Sequence, residues 1–130
     1  ETQVLMLRLG AQALDLLLAC AEGRLDRARV NWAEDHALTV VMAAKGYPGA
    51  YQKGTVIHGL GRLPEDSRHM CFRAGTAGKD GQIVANGGRV LNITARGDTL
   101  ADARNRAYAM IDHLHWPEGF CRSDIGWRAL

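Results

Sequence analysis

Residues 37–49 read Ala-Leu-Thr-Val-Val-Met-Ala-Ala-Lys-Gly-Tyr-Pro-Gly. The first eight are continuously apolar or β-branched, as a buried strand requires, and the last five are dominated by turn formers. The stretch therefore predicts a strand over 37–44 that delivers its C-terminal end into a rigid loop suited to binding. Upstream the texture is helical: Leu14, Leu17, Leu18 and Ala21 recur at i, i+3, i+4 and i+7. This predicts one helix over 1–22 with a single apolar stripe, weakened or bent at Gly10 by about 1 kcal/mol relative to alanine, and stopped by Gly23. A short charged segment, 25–29, separates the two textures.

Downstream, 54–57 reads as a second short strand, 60–68 as a polar surface loop, and 69–76, 82–85 and 89–96 as three further strands. The first two of these are joined by Lys79-Asp80-Gly81, whose Asp-Gly is a strong hairpin signal. Thr99 opens a helix with Asp102 three residues on, a capping-box pair for which Asp98 is the competing cap. Leu100, Ala103, Ala107, Met110, Ile111 and Leu114 line one face of that helix, Pro117 is expected to end it, and 122–130 has no periodicity. The expected fold class is α+β: a mainly antiparallel sheet with a packed helix, preceded by an N-terminal helix.

Composition narrows the function classes. The chain has 130 residues, 47% of them hydrophobic and 23% charged, which is ordinary globular usage and enough for a sizeable core. A net charge of +2 does not imply a nucleic-acid partner, and the few aromatic residues are not interleaved with basic ones as a base-stacking sheet would need. The apolar run 14–21 is too short to span a bilayer, so no membrane partner is expected. Cys20, Cys71 and Cys121 are odd in number and far apart, which fits small hydrophobes in a reduced cytoplasm. The chain starts at Glu1 rather than Met and enters a helical pattern at once, leading to the expectation of a piece from a longer polypeptide.

Several chemical motifs fail. Lys53-Gly54-Thr55 inverts the Gly-Lys-Thr of a phosphate loop and lacks its upstream glycine. His113 and His115 have no third ligand nearby, and no Ser-His-Asp, Cys-His or paired-carboxylate arrangement is suggested. What remains is a set of glycine-containing loops at strand ends: 45–48, 74–76 and 86–89. In Asn86-Gly87-Gly88-Arg89, two glycines let backbone N–H groups approach a ligand and Arg89 offers a planar fork for phosphate or carboxylate. Each loop taken separately reads as a turn, and Gly87-Gly88 as a hairpin between 82–85 and 90–94. Taken together on one rim, with Lys45 and Arg89, they would make an anion pocket.

These stretches also carry a family resemblance. Glu1-Thr2-Gln3, the run 38–49, Ala74-Gly75-Thr76, the run 86–92 and the closing Asp124-Ile125-Gly126-Trp127-Arg128-Ala129-Leu130 resemble, in order and through all 130 residues, the C-terminal part of the phosphoribosylamine-glycine ligase family. These enzymes, the glycinamide ribonucleotide synthetases, belong to the ATP-grasp superfamily. The resemblance implies joining of glycine to 5-phosphoribosylamine with ATP and magnesium (or manganese), giving glycinamide ribonucleotide, ADP and phosphate in purine biosynthesis. It implies that 1–29 is a helical remnant of the ATP-grasp core and 30–130 the C-terminal domain. Arg89 with the Gly87 and Gly88 backbone would serve the 5-phosphate, and Lys45, Gly46, Tyr47, Gly75 and Thr76 would shape the same pocket. Partners implied are the three substrates and the remainder of an ATP-grasp chain, whose metal and nucleotide ligands would precede Glu1, so the fragment alone is expected to be inactive and to bind no cofactor.

Two departures stand out. Arg73 replaces the family's usual histidine before Ala74, and Leu7 replaces a usual proline, predicting a more continuous first helix. Two other readings remain: a stand-alone binding module for a phosphorylated metabolite, and a biotin carboxylase-type domain, against which 45–49 and 124–130 speak.

Overall fold

The computed structural model describes residues 1–130. Its centre is β1, His36–Ala44, paired along its length with β5, Arg89–Gly97, His36 standing opposite Gly97 and Met42 opposite Leu91. On the far edge of β5 lies β2, His69–Arg73; on the far edge of β1 a two-residue strand, called β6 here because β3 and β4 precede it in the chain, Gly119–Phe120, covers Ala43 and Ala44. The order is β2-β5-β1-β6 and every pairing is antiparallel. The expected α+β class is what forms.

Strand alternation explains which face is buried. Leu38, Val40 and Met42 of β1, with Leu91, Ile93 and Ala95 opposite them, turn toward α3, Leu100–Asp112. That helix presents Ala103, Ala107 and Met110 to them, as its spacing predicts, with Leu100 and Ile111 packed at the margin. Thr99 is the cap: its hydroxyl accepts from Asp102 N at 3.1 Å while Asp102 accepts from Thr99 N at 3.2 Å. Asp98 pairs with Arg68 instead, at 3.5 Å.

The Asp80-Gly81 turn and the strand after it form as expected, but the strand before the turn is 76–79 rather than 69–76. β3, Thr76–Lys79, and β4, Gln82–Ala85, make their own two-stranded sheet, turned at Asp80 (φ 50°) and Gly81 (φ 74°). Other expectations are corrected by tertiary contacts. The strand expected over 69–76 splits, because the chain leaves the main sheet at Ala74-Gly75. Residues 54–57 form a single bridge, Val56 to Val84, rather than a strand. Helix α3 stops at Asp112, well before Pro117, because His115 exchanges both backbone hydrogen bonds with His58 (3.0 and 3.1 Å).

The helix expected over 1–22 is two helices. Gly10 takes φ 56° and ψ −137°, a conformation open essentially to glycine alone, so α1, Thr2–Leu9, and α2, Gln12–Ala21, meet at a bend of 112°. Leu7 does not make the run continuous, since the break lies three residues beyond it. α1 rests on β1 and β5 across the sheet from α3, held where Arg8 donates to Ala33 O (2.7 Å) and Arg96 to Leu7 O (3.3 Å). The apolar stripe of α2 is not buried: Leu14, Leu17 and Leu18 are 72%, 61% and 48% exposed, and only Ala19 is covered. No single helix is long and apolar enough to cross a membrane.

Candidate ligand-binding site

The sheet face away from α3 is only partly covered. Thr39, Val41 and Ala43 of β1 point there, with Thr94 and Asn92 of β5 opposite Thr39 and Val41. α1 lies over the Thr39–Thr94 end, where the two hydroxyls bond each other at 2.8 Å. Beyond it the face opens into two adjoining recesses. One, of about 310 Å³, is polar and edged by Glu1, Gln3, Asn92 and Arg89. The other, of about 320 Å³, is mostly apolar and edged by Tyr47, Phe120, Cys121 and Ile125. Thr39, Val41 and Arg89 belong to both, which places Arg89 at the junction.

A bulge sets that position. Arg89 and Asn92 are three residues apart, so regular alternation would turn them to opposite faces. The β1–β5 register slips between Met42 opposite Leu91 and Ala43 opposite Arg89, and Val90 and Leu91 are both fully buried. The extra residue restores Arg89 to the face of Asn92. Arg89 is exposed, and its guanidinium forms no ion pair or hydrogen bond within the chain, although Glu1 edges the same recess.

The three loops converge on this end of the sheet. An added Cβ on Gly75 would stand 2.6 Å from Arg89 O and 2.8 Å from Gly87 Cα, and one on Gly88 would stand 2.2 Å from the Tyr47 ring. Gly75 N donates to Arg89 O at 3.1 Å and Ala44 N to Gly88 O at 2.8 Å. The expected reason for the glycine pair is thereby corrected: neither Gly87 nor Gly88 has positive φ, and both are required by close packing between loops. Nor do they form a hairpin turn, because β4 and β5 lie in different sheets. Gly46, at φ 98°, closes its own loop against Ala50 O.

Of the eight residues singled out from the sequence, Tyr47 and Arg89 line the recesses. Gly46, Gly75, Gly87 and Gly88 shape the loops behind them. Lys45 donates its backbone N–H to Glu118 O (2.8 Å) while its side chain lies exposed outside both recesses, and Thr76 opens β3, half-buried. Arg73 falls opposite Leu91 on the Cys71 side of β2, facing away from the recesses. Asn92 and Thr39 were missed. Their signal was present: a carboxamide and a hydroxyl inside otherwise apolar strand runs.

The remaining titratable groups do not form a second centre. Burial pushes the Cys71 thiol up to about 11, so it stays protonated, and Cys121 is raised for the same reason. All three cysteines are free, and Cys20 is exposed rather than packed. His115 faces His58 with ring centroids 6.2 Å apart, leaving His113 out, and nowhere do three His, Cys, Asp or Glu side chains gather as a metal site would need.

Fold and recess together define a small α+β domain that presents an unpaired arginine on the open face of its sheet. The family model for the phosphoribosylglycinamide synthetase C domain matches residues 37–128, and the chain belongs to that family. It is similar to phosphoribosylamine–glycine ligases of Brucella melitensis (55% identical over 130 residues) and Escherichia coli K12 (51% over 131), covering 100% of this chain and 30% of each relative. A chloroplastic counterpart from Arabidopsis thaliana is 46% identical over 136 residues, covering 100% of this chain and 25% of that protein. The crystal structure of phosphoribosylamine–glycine ligase from Thermotoga maritima superposes with a TM-score of 0.80 at 35% identity, covering 95% of this chain and 29% of that one. The chain thus spans between a quarter and a third of the length of these relatives.

Proposed function

We propose that the chain works as the C-terminal domain of an ATP-dependent carbon-nitrogen ligase that joins glycine to 5-phosphoribosylamine, yielding glycinamide ribonucleotide, ADP and phosphate in cytoplasmic purine biosynthesis. The observation that carries this reading is the unpaired Arg89 at the junction of the two recesses. In the reaction, the glycine carboxylate takes the γ-phosphoryl group of ATP and the ribosylamine nitrogen then displaces phosphate from the acyl phosphate. This domain's part is to hold the ribosylamine: Arg89 binds the 5-phosphate, Tyr47 walls the pocket, and Gly46, Gly75, Thr76, Gly87 and Gly88 fix the loops, with Lys45 adding positive potential nearby. Residues 1–29 are read as the end of the ATP-grasp core, whose covering would account for the exposed leucines of α2. ATP and magnesium belong on this reading to that core. This chain brings no three metal-type side chains together, and no step is assigned through either group.

The test is made in the complete ligase. Arg89→Ala is expected to weaken phosphoribosylamine binding by about 10- to 150-fold, the loss of a charge-assisted contact of roughly 1.5 to 3 kcal/mol, with the melting temperature unmoved. Arg89→Lys recovers only part, since an ammonium cannot reproduce the fork. An unchanged Michaelis constant in Arg89→Ala ends the phosphate assignment.

A further inference from the structure

Resting on the reading that Arg89 holds the phosphate, we propose that Asn92 reads the sugar, its carboxamide engaging the neighbouring ribose hydroxyls and so setting specificity for a pentose phosphate. Asn92 is 7% exposed in mid-strand between two fully buried residues, and its side chain, free of any hydrogen bond within the chain, reaches the polar recess. Its cross-strand neighbours, Val41 and Phe72, offer no partner, and the nearest hydroxyls, of Thr39 and Thr94, are bound to each other. The amide is not sealed in, since Arg8 Nε is the one fully buried side-chain polar atom left without a partner; its donors and acceptor open instead onto the recess, where they are free to meet a ligand.

The chemistry of that recess narrows the ligand. A carboxamide presents one acceptor and two donors, which complements a vicinal diol. Around it stand Glu1 and Gln3, further hydrogen-bonding side chains, while Arg89 is the only cationic side chain. One anionic end and a neutral polyhydroxylated body fit this lining; a polyanion does not. The bulge that puts Arg89 and Asn92 on one face, roughly 10 Å apart along the strand at about 3.3 Å per residue, makes one ligand spanning both a geometric possibility.

The experiment compares ribosylamine 5-phosphate with its 2-deoxy counterpart, each generated from ammonia and the corresponding pentose 5-phosphate, in the complete ligase. The unaltered enzyme is expected to favour the ribosyl form in kcat/KM by at least about tenfold. Asn92→Leu, of similar volume, and Asn92→Thr, a residue suited to strands, are made in parallel in case one fails to fold. Both should lose most of that preference by weakening the ribosyl substrate alone, with the Michaelis constants for ATP and glycine unchanged. Equal losses on both sugars, or an undiminished preference, overturn the proposal. Arg89→Ala separates the two levels: it should weaken both sugars alike, and if it weakens neither, the phosphate reading fails independently of what Asn92 does.

Discussion

Gly88 shows how a residue can be legible as special and illegible in its reason. Sequence marks the Gly87-Gly88 pair at once, but the contact that excludes a side chain comes from Tyr47, some forty residues earlier in the chain. Gly88→Ala drives a methyl into that ring, and we expect a loss of roughly 1 to 3 kcal/mol from overpacking. In a Tyr47→Ala background the same substitution should lose much less. Thermal unfolding of the two single variants and the double variant measures the difference, and an additive result would deny the contact. Arg89 was legible because arginine after two glycines is conspicuous; that it is unpaired was not, since this depends on which carboxylates the fold brings to the recess. Asn92 could have been found by asking why an amide sits between Leu91 and Ile93.

Elements whose signals are local came through intact: the apolar run of β1, the Asp-Gly turn of the β3–β4 hairpin, and the periodic face of α3 with its cap. Elements decided by distant partners did not. The end of α3 is set by His58, the fate of 54–57 by the backbone of β4, and the split between β2 and β3 by the packing of Gly75. The break at Gly10 lies between these cases, its position legible and its severity not. The cap of α3 offers a clean measurement. Thr99→Ala removes the acceptor for Asp102 N and should cost about 1 kcal/mol, while Thr99→Ser, which keeps the hydroxyl, should cost little; denaturant midpoints at constant m would show it.

At the scale of the whole molecule, two faces differ in finish. The α3 side of the sheet is closed over a dense core, whereas α2 turns Leu14, Leu17 and Leu18 outward. Leu17→Glu should therefore act with opposite signs in two contexts. In the isolated 130 residues it should reduce self-association, seen by sedimentation; in the complete ligase it should lower the melting temperature, because the same side chain would there be covered. Improvement in both would mean that nothing covers α2. The pairing of β1 with β5 has another consequence, for how the chain comes to be folded at all. His36 finds Gly97 about sixty residues later, so the central pair is a long-range closure while the β3–β4 hairpin between them is local. At ribosomal speeds of about 5 to 20 residues per second, β1 emerges roughly 3 to 12 s before its partner exists. For that interval Val40, Val41 and Met42 form a bare hydrophobic strand on a nascent chain, and α1, which leaves the ribosome before β1 and rests on it in the fold, is the element already at hand to shelter it.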